Sequence, residues 1–289
     1  MTHCYHLAGI VPIACKPTGY DLPWDDCLIP IAPNYFAFEN AVYQAAMAGC
    51  ETIWLVCPQE TSPVVRKRIG DFIYDPSSVG SKRFSIAPDK HRKLIPIYYV
   101  PIKVQNQHKS ACLPWSIIRG ALVARDISSS ISKWTKPDKY FVSFPYGIYD
   151  ADAIRPERRA ISKLEADWCL SYKGKTFNDN LHLSYTFSPE QLTQCERTFM
   201  EHEDGLLLSD ESAFEYYTNE MKISDIFRDH EENTRQFNID YFSQIDSWDS
   251  YKNYLSSEQS SALKVPSKLY LSYSEWNPIA EDLEDENME

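Results

Sequence analysis

An α/β fold with a mixed, mostly parallel sheet flanked by helices is predicted by three features of the sequence. Apolar runs occur that are too continuous for a half-exposed sheet, helical periods lie between them, and the strand, helix, strand order repeats within the first 150 residues. HLAGIVPIA, residues 6–14, is the first run, bounded by polar and turn residues as a buried strand would be. YFAFENAVYQAAMAGC then sets Phe36, Ala37, Ala41 or Val42, Ala45 and Ala48 along one helical face, with Gly49 as C-cap. ETIWLVCP, residues 51–58, is the next buried strand, stopped by Pro58.

The second unit begins with SPVVRKRIGDFI, where Ser62 and Pro63 open a helix predicted over residues 62–73. LIPIYYVPI, residues 94–102, is a strand whose internal prolines point to an edge place or strained ends. WSIIRGALVARDISSSISK, residues 115–133, is helical in period, and KYFVSFPYGIYD, residues 139–150, is another strand. Beyond residue 150 the pattern weakens. ADWCLSYKG and NLHLSYTFSP suggest antiparallel strands, PEQLTQCERTFME a helix, and SAFEYYTNEMKISDIFRDH another. NIDYFSQID, residues 238–246, is a late strand, and residues 247–264 form a helix with Ser247 as N-cap. No repeat or linker divides the chain, so residues 1–270 read as one domain, with halves 1–150 and 151–270, before an acidic tail, 271–289.

Composition narrows the function. Hydrophobic residues at 43% and charged ones at 24% fit a globular protein with a full core. Only 9 glycines occur, against about 20 at average usage, which limits loops that cradle phosphates. A net charge of −12 argues against sequence-independent nucleic-acid binding and against an anionic membrane surface. Arg66 to Arg68 and Lys82 to Lys93 are local basic patches that read as solvated faces. The 8 cysteines show neither CxxC nor zinc-finger spacing, and several sit in apolar runs where a thiol packs as a small hydrophobe. A reducing, cytoplasmic setting follows as the expectation. The histidines lack zinc-ligand spacing, no membrane-length apolar window occurs, and the start lacks the basic segment of a signal peptide.

The order of these elements, with two motifs, resembles the sugar-phosphate nucleotidyltransferase family. AGIVPIACKP, DDCLIPIAPN and ETIWLVCP stand where that family has AGGxGTRLxP, PKPLLPV and EIVVV, with Pro17 and Leu28 to Ile31 matching best. QIDSWDSYKNYL, Gln244 to Leu255, is similar to the family's strand-ending aspartate, turn and aromatic helix of the type DTWEDY. The resemblance implies a Rossmann-like nucleotide-diphospho-sugar transferase fold. It also implies Mg²⁺-dependent joining of a sugar 1-phosphate to the α-phosphate of a nucleoside triphosphate, with release of pyrophosphate.

That chemistry concentrates negative charge and needs backbone donors, cations and a divalent ion aimed at it. Carried onto this sequence, the resemblance makes Ala8, Gly9 and Trp115 the candidates for nucleotide contact, Trp115 either stacking on a ring or packing in the core. Ile10 and Pro12 stand where the family's loop glycines belong, and Ala14 where its arginine belongs; proline offers no N–H at all. Lys16 is either a substitute catalytic cation or an exposed loop lysine. Asp26 falls near the lysine of PKP and would repel an anion.

Asp246 matches the family's second metal aspartate, and its alternative role is that of a helix-start residue. The first metal aspartate aligns with Tyr146 or Gly147, leaving Asp150 or Asp152 as a replacement ligand or as ordinary turn residues. Two readings follow. In one, the chain kept the fold, lost the reaction, and acts as a binding or structural protein for a nucleotide, nucleotide sugar or protein partner. In the other it is an active transferase, with Asp246 and Asp150 or Asp152 on Mg²⁺ and Lys16 assisting pyrophosphate departure. A third reading takes Asp150 to Asp152 as the DxD motif of a nucleotide-sugar glycosyltransferase. Departures at Pro12, Ala14, Asp26 and Tyr146 favour the first.

Overall fold

Eight strands form a single sheet in the computed structural model, which describes residues 6–14, 20, 22–76, 94–102, 112–131, 135–207, 221–227 and 234–266. In chain order the strands are β1 (Leu7–Pro12), β2 (Pro30–Ala32), β3 (Tyr35–Phe36), β4 (Thr52–Pro58), β5 (Phe72–Tyr74) and β6 (Leu94–Ile102). They continue with β7 (Lys139–Val142), β8 (Gly147–Ile148), β9 (Asp167–Ser171), β10 (Tyr185–Phe187), β11 (Thr234–Asn238) and β12 (Ser243–Gln244). The main sheet runs β11-β9-β10-β7-β1-β4-β6-β5. Its centre, β7-β1-β4-β6, is parallel, β10 is antiparallel to β7 and to β9, and β5 is antiparallel to β6. Two small ribbons stand apart, β2 with β3 and β8 with β12.

Helices cover both faces, which is why the central strands are apolar throughout. Leu7 and Val11 of β1 join the core under α1 (Ala37–Ala48), whereas Ala8 and Ile10 join the core of the opposite face, built on α3 (Leu113–Ile131) and α5 (Pro189–Leu207). Here α2 is Ser62–Ile69, and α4, Arg158–Ile161, lies in the α1 layer through Ile161. The helix α1 is buried nearly all round, including Glu39, Asn40 and Gln44, and is therefore wider in burial than one apolar face suggests. Gly49 takes a left-handed conformation, φ 95°, as its C-cap.

Several expected elements change at their ends. The helix opened by Ser62 stops at Ile69, because Gly70 adopts φ 84° and ψ −166°, and Phe72–Tyr74 becomes a strand. That strand pairs with Leu94–Pro96, so β6 is an edge only beyond that segment, among the described residues. The strand expected over residues 139–150 breaks after Val142 and leaves the main sheet. The late strand expected over 238–246 is instead β11, parallel to β9, and the short β12. The last helix is two, α7 (Trp248–Leu255) and α8 (Glu258–Ala262), each begun by a serine side chain, Ser247 and Ser257, accepting an N–H. α6 (Ile223–Ile226) is the described part of the helix expected over 212–230, whose residues 212–220 and 228–230 lie outside the described residues. So do Lys16, Pro17, the Lys82 to Lys93 patch, Cys4, Cys15 and the 271–289 tail.

A third core joins distant parts of the chain. Tyr251 and Tyr254 on α7 donate to the carbonyls of Pro30 (2.6 Å) and Ile31 (3.2 Å), and Tyr20 donates to that of Ile245 (2.7 Å). These tyrosines pack with Ile29, Tyr146 and Ile148. Among the described residues six cysteines are buried and none forms a disulfide, and no helix is long and apolar enough to cross a membrane.

Candidate functional site

In open α/β sheets ligands bind outside the carboxyl ends of the parallel strands. Here that edge is formed where β1 ends at Pro12 and β7 at Val142. The chain leaving β1 folds back on itself: the Ile13 N–H donates to the Val11 carbonyl (3.1 Å) and the Ala14 N–H to the Val56 carbonyl (2.9 Å). Both residues are buried, at 2% and 1% exposure. With Pro12 lacking a donor, the described part of this turn points no backbone N–H at a phosphate. Ala8 lies fully buried within β1, and Gly9 packs so closely under α1 that a Cβ there would stand 3.0 Å from the Cys50 Sγ and 3.2 Å from the Ala45 Cβ. Trp115, in the first turn of α3, is half-buried against the core of that face.

Beyond β7 the chain leads into a cluster of rings. Phe144 and Tyr146 are buried, and the His182 ring stacks on Phe144 (5.3 Å between centroids, 21°) and tilts against Tyr146 (6.2 Å, 46°). The layer beneath is polar and closed. The Ser143 hydroxyl donates to the Gln44 side-chain carbonyl (2.8 Å), the Gln44 amide donates to the Gly147 carbonyl (3.0 Å), and the Tyr149 and Ser184 hydroxyls share a bond of 2.7 Å.

Asp246 sits at this edge, after β12. Its carboxylate accepts from the Gln244 amide (2.7 Å) and from the Ser250 hydroxyl (3.3 Å). Gln244 in turn accepts the His182 N–H (3.0 Å), so aspartate, glutamine, histidine and the first turn of α7 form one hydrogen-bonded unit. Asp26, at 6% exposure, lies near enough that its charge acts on Tyr20; burial first, then Asp246 and Asp26, push that phenol well above its usual pKa. Tyr20, Gln44, Ser143, Phe144 and His182 carried no signal in the sequence, since none belongs to a motif or a periodic face.

Asp150 and Asp152 lie elsewhere. The antiparallel register pairs Gln244 with Gly147 and Ser243 with Ile148, so Asp246 continues toward Pro145 while Asp150 continues toward Tyr241. At about 3.3 Å per residue, the opposite ends of this ribbon hold the Asp246 and Asp150 levels roughly 16 Å apart. Asp150 instead caps a short 3₁₀ turn, accepting the Asp152 N–H (3.0 Å), and Asp152 pairs with Lys264 (3.1 Å). Mg²⁺ demands compact octahedral oxygen coordination. The donor set does not fit it: the candidate carboxylates are divided between two ends, and no group of three or more His, Cys, Asp or Glu suited to a metal occurs among the described residues.

Burial holds the His182 imidazole down at about 4, against an ordinary 6.5, with the Asp246 charge offsetting part of the shift. Its Nδ1 is buried without a hydrogen-bond partner among the described residues. The unfolded chain therefore binds a proton at a pH where the folded one does not, so stability is full above about pH 6.5 and falls as pH drops toward about 4. We expect His182→Asn to flatten this loss, which is on the order of 2 kcal/mol after allowing for residual exposure. Urea unfolding of both proteins from pH 7 to pH 4 measures it, and parallel profiles would remove His182 from the account.

No family model and no curated protein matches the chain. Solved structures do. A Bacillus anthracis protein described as a glucose-1-phosphate thymidylyltransferase, in complex with sucrose, aligns over 90% of this chain and 97% of its own with 11% identity and a TM-score of 0.53. A UDP-glucose pyrophosphorylase complexed with UDP-glucose aligns over 89% and 97%, at 13% identity and TM-score 0.48. Rv0371C of Mycobacterium tuberculosis H37Rv, in complex with manganese, aligns over 87% and 98%, at 11% and 0.44. At such identities the likeness is one of fold, and the chain has the nucleotide-diphospho-sugar transferase-like fold.

Proposed function

We propose that this protein has kept the sugar-phosphate nucleotidyltransferase scaffold, has lost nucleotidyl transfer, and acts as a binding protein. One observation carries the reading: at the strand ends where charge would develop, the buried rings of Phe144 and Tyr146 pack with the half-buried imidazole of His182, close enough to Asp246 for its charge to act on that imidazole. Among the described residues, a triphosphate brought there would meet aromatic rings and carboxylates, at a cost that grows as water is excluded. Asp246 then serves its hydrogen-bonded unit with Gln244 and Ser250 and positions α7, and Asp150 and Asp152 serve a turn.

A structural neighbour described as a glucose-1-phosphate thymidylyltransferase makes the retained-activity reading the one to exclude. The test is pyrophosphate release across a panel of nucleoside triphosphates and sugar 1-phosphates with Mg²⁺ or Mn²⁺, paired with calorimetry of each triphosphate. Silence in every combination and no metal-dependent heat are expected. Turnover of any pair, or metal-dependent triphosphate binding abolished by Asp246→Asn, would overturn the proposal.

A further inference from the structure

The ribbon end remote from Asp246 opens into a cleft of about 170 Å³, between β8, the segment before β12, and α8 with the residues that follow it. Ile148 and Leu263 give its lining apolar surface. Its mouth is polar. Asp150 has one carboxylate oxygen occupied by the Asp152 N–H, and the other has no hydrogen-bond partner among the described residues. Tyr241 and Gln259 line the same cleft, and neither side chain makes a hydrogen bond among the described residues. Lys264, also at the mouth, is engaged by Asp152 at 3.1 Å.

Size, polarity and charge together define a ligand class. An apolar cavity of about 150 Å³ accepts a benzene ring, so this cleft admits one six-membered ring and little more. A phenol, an amide and a carboxylate lining one cleft without hydrogen-bond partners among the described residues favour a ligand carrying several hydroxyls, because each hydroxyl both donates and accepts. The Tyr241 ring and the Leu263 and Ile148 side chains suit the C–H face of such a ring. Asp150 in the lining, with the one lining lysine already paired to Asp152, disfavours phosphate or carboxylate groups.

We propose that this cleft is a binding site for a neutral cyclic polyol of monosaccharide size. The proposal does not depend on whether nucleotidyl transfer survives, since the cleft lies at the other end of the ribbon from Asp246.

Saturation-transfer NMR on the full chain tests it, with glucose, galactose and myo-inositol as neutral probes, glucosamine as the cationic one and glucose 1-phosphate as the anionic one. Transfer to at least one neutral probe is expected, weakened about tenfold or more by Tyr241→Ala and by Ala262→Trp, as loss of one or two hydrogen bonds or filling of the cleft would do. Ala262 is exposed at the end of α8, so a tryptophan there occludes the cleft without entering the core, and thermal melting confirms the fold of each variant. Trp248→Ala, at the other edge, should leave the signal unchanged. Absence of transfer to every neutral probe, transfer that survives Ala262→Trp, or preference for the charged probes would overturn the proposal.

Discussion

Gly147→Ala is expected to destabilise the protein by about 3 kcal/mol or more, beyond the ordinary cost of a single overpacked methyl. A Cβ at this position would stand 2.0 Å from the His182 carbonyl oxygen and 3.1 Å from its carbon, both backbone atoms. Neither side can yield cheaply. The His182 N–H is held by Gln244, which pairs with Gly147 across the β8–β12 ribbon, and the Gly147 carbonyl accepts the buried Gln44 amide. For a chain of this size the melting temperature should fall by about 6–12 °C. Thermal denaturation by circular dichroism reads it, and a melt within a degree or two of the parent would show that the ribbon has room to move. The same close approach explains why this position carries no side chain.

Arg68→Met comes second, with an expected loss of about 3 kcal/mol. Glu39 on α1 has no exposed side-chain surface, and its carboxylate accepts the Phe36 N–H (2.8 Å) and the Arg68 guanidinium (2.7 and 3.4 Å). Arg68 also donates to the Asn34 carbonyl (2.6 Å) and side chain (3.0 Å) while lying over the Phe36 ring. Removing the arginine takes from a buried carboxylate its cationic partner at this ion pair, which costs far more than a surface pair would. Glu39→Gln in the same background should restore part of the loss, because it removes the stranded charge. Urea denaturation of the single and double variants gives the coupling; strictly additive effects would mean that the two side chains act independently.

Arg68 also marks a limit of sequence reading. Within Arg66 to Arg68, Arg66 does meet solvent, paired with Asp71, whereas Arg68 reaches a carboxylate 29 residues away that no local pattern reveals. The parallel centre was legible because β1 and β4 are covered on both faces, and a run of buried residues is a property of the chain itself. β11, reading TRQFN, is mostly exposed and polar; only its pairing with β9 makes it a strand. Phe72 and Ile73 continued a helical period, and the Gly70 backbone overrode it.

The site divides the same way. The turn at Asp246 and Ser247 was visible through its capping serine, a short-range device. That Asp150 stands at the far end of the ribbon from Asp246 depends on the pairing of β8 with β12, two strands of two residues each, too short to leave a periodic trace. His182 is a lone histidine before a strand, and its stack with Phe144 exists only in three dimensions.

The tyrosine bonds from α7 to Pro30 and Ile31, and from Tyr20 to Ile245, join segments separated by 221, 223 and 225 positions. During synthesis the early segment emerges long before its partners, and contacts of such separation are closed late and slowly. The Pro30 and Ile31 carbonyls therefore wait for the Tyr251 and Tyr254 hydroxyls, and the Tyr20 hydroxyl waits for the Ile245 carbonyl, until more than 200 further residues have been made.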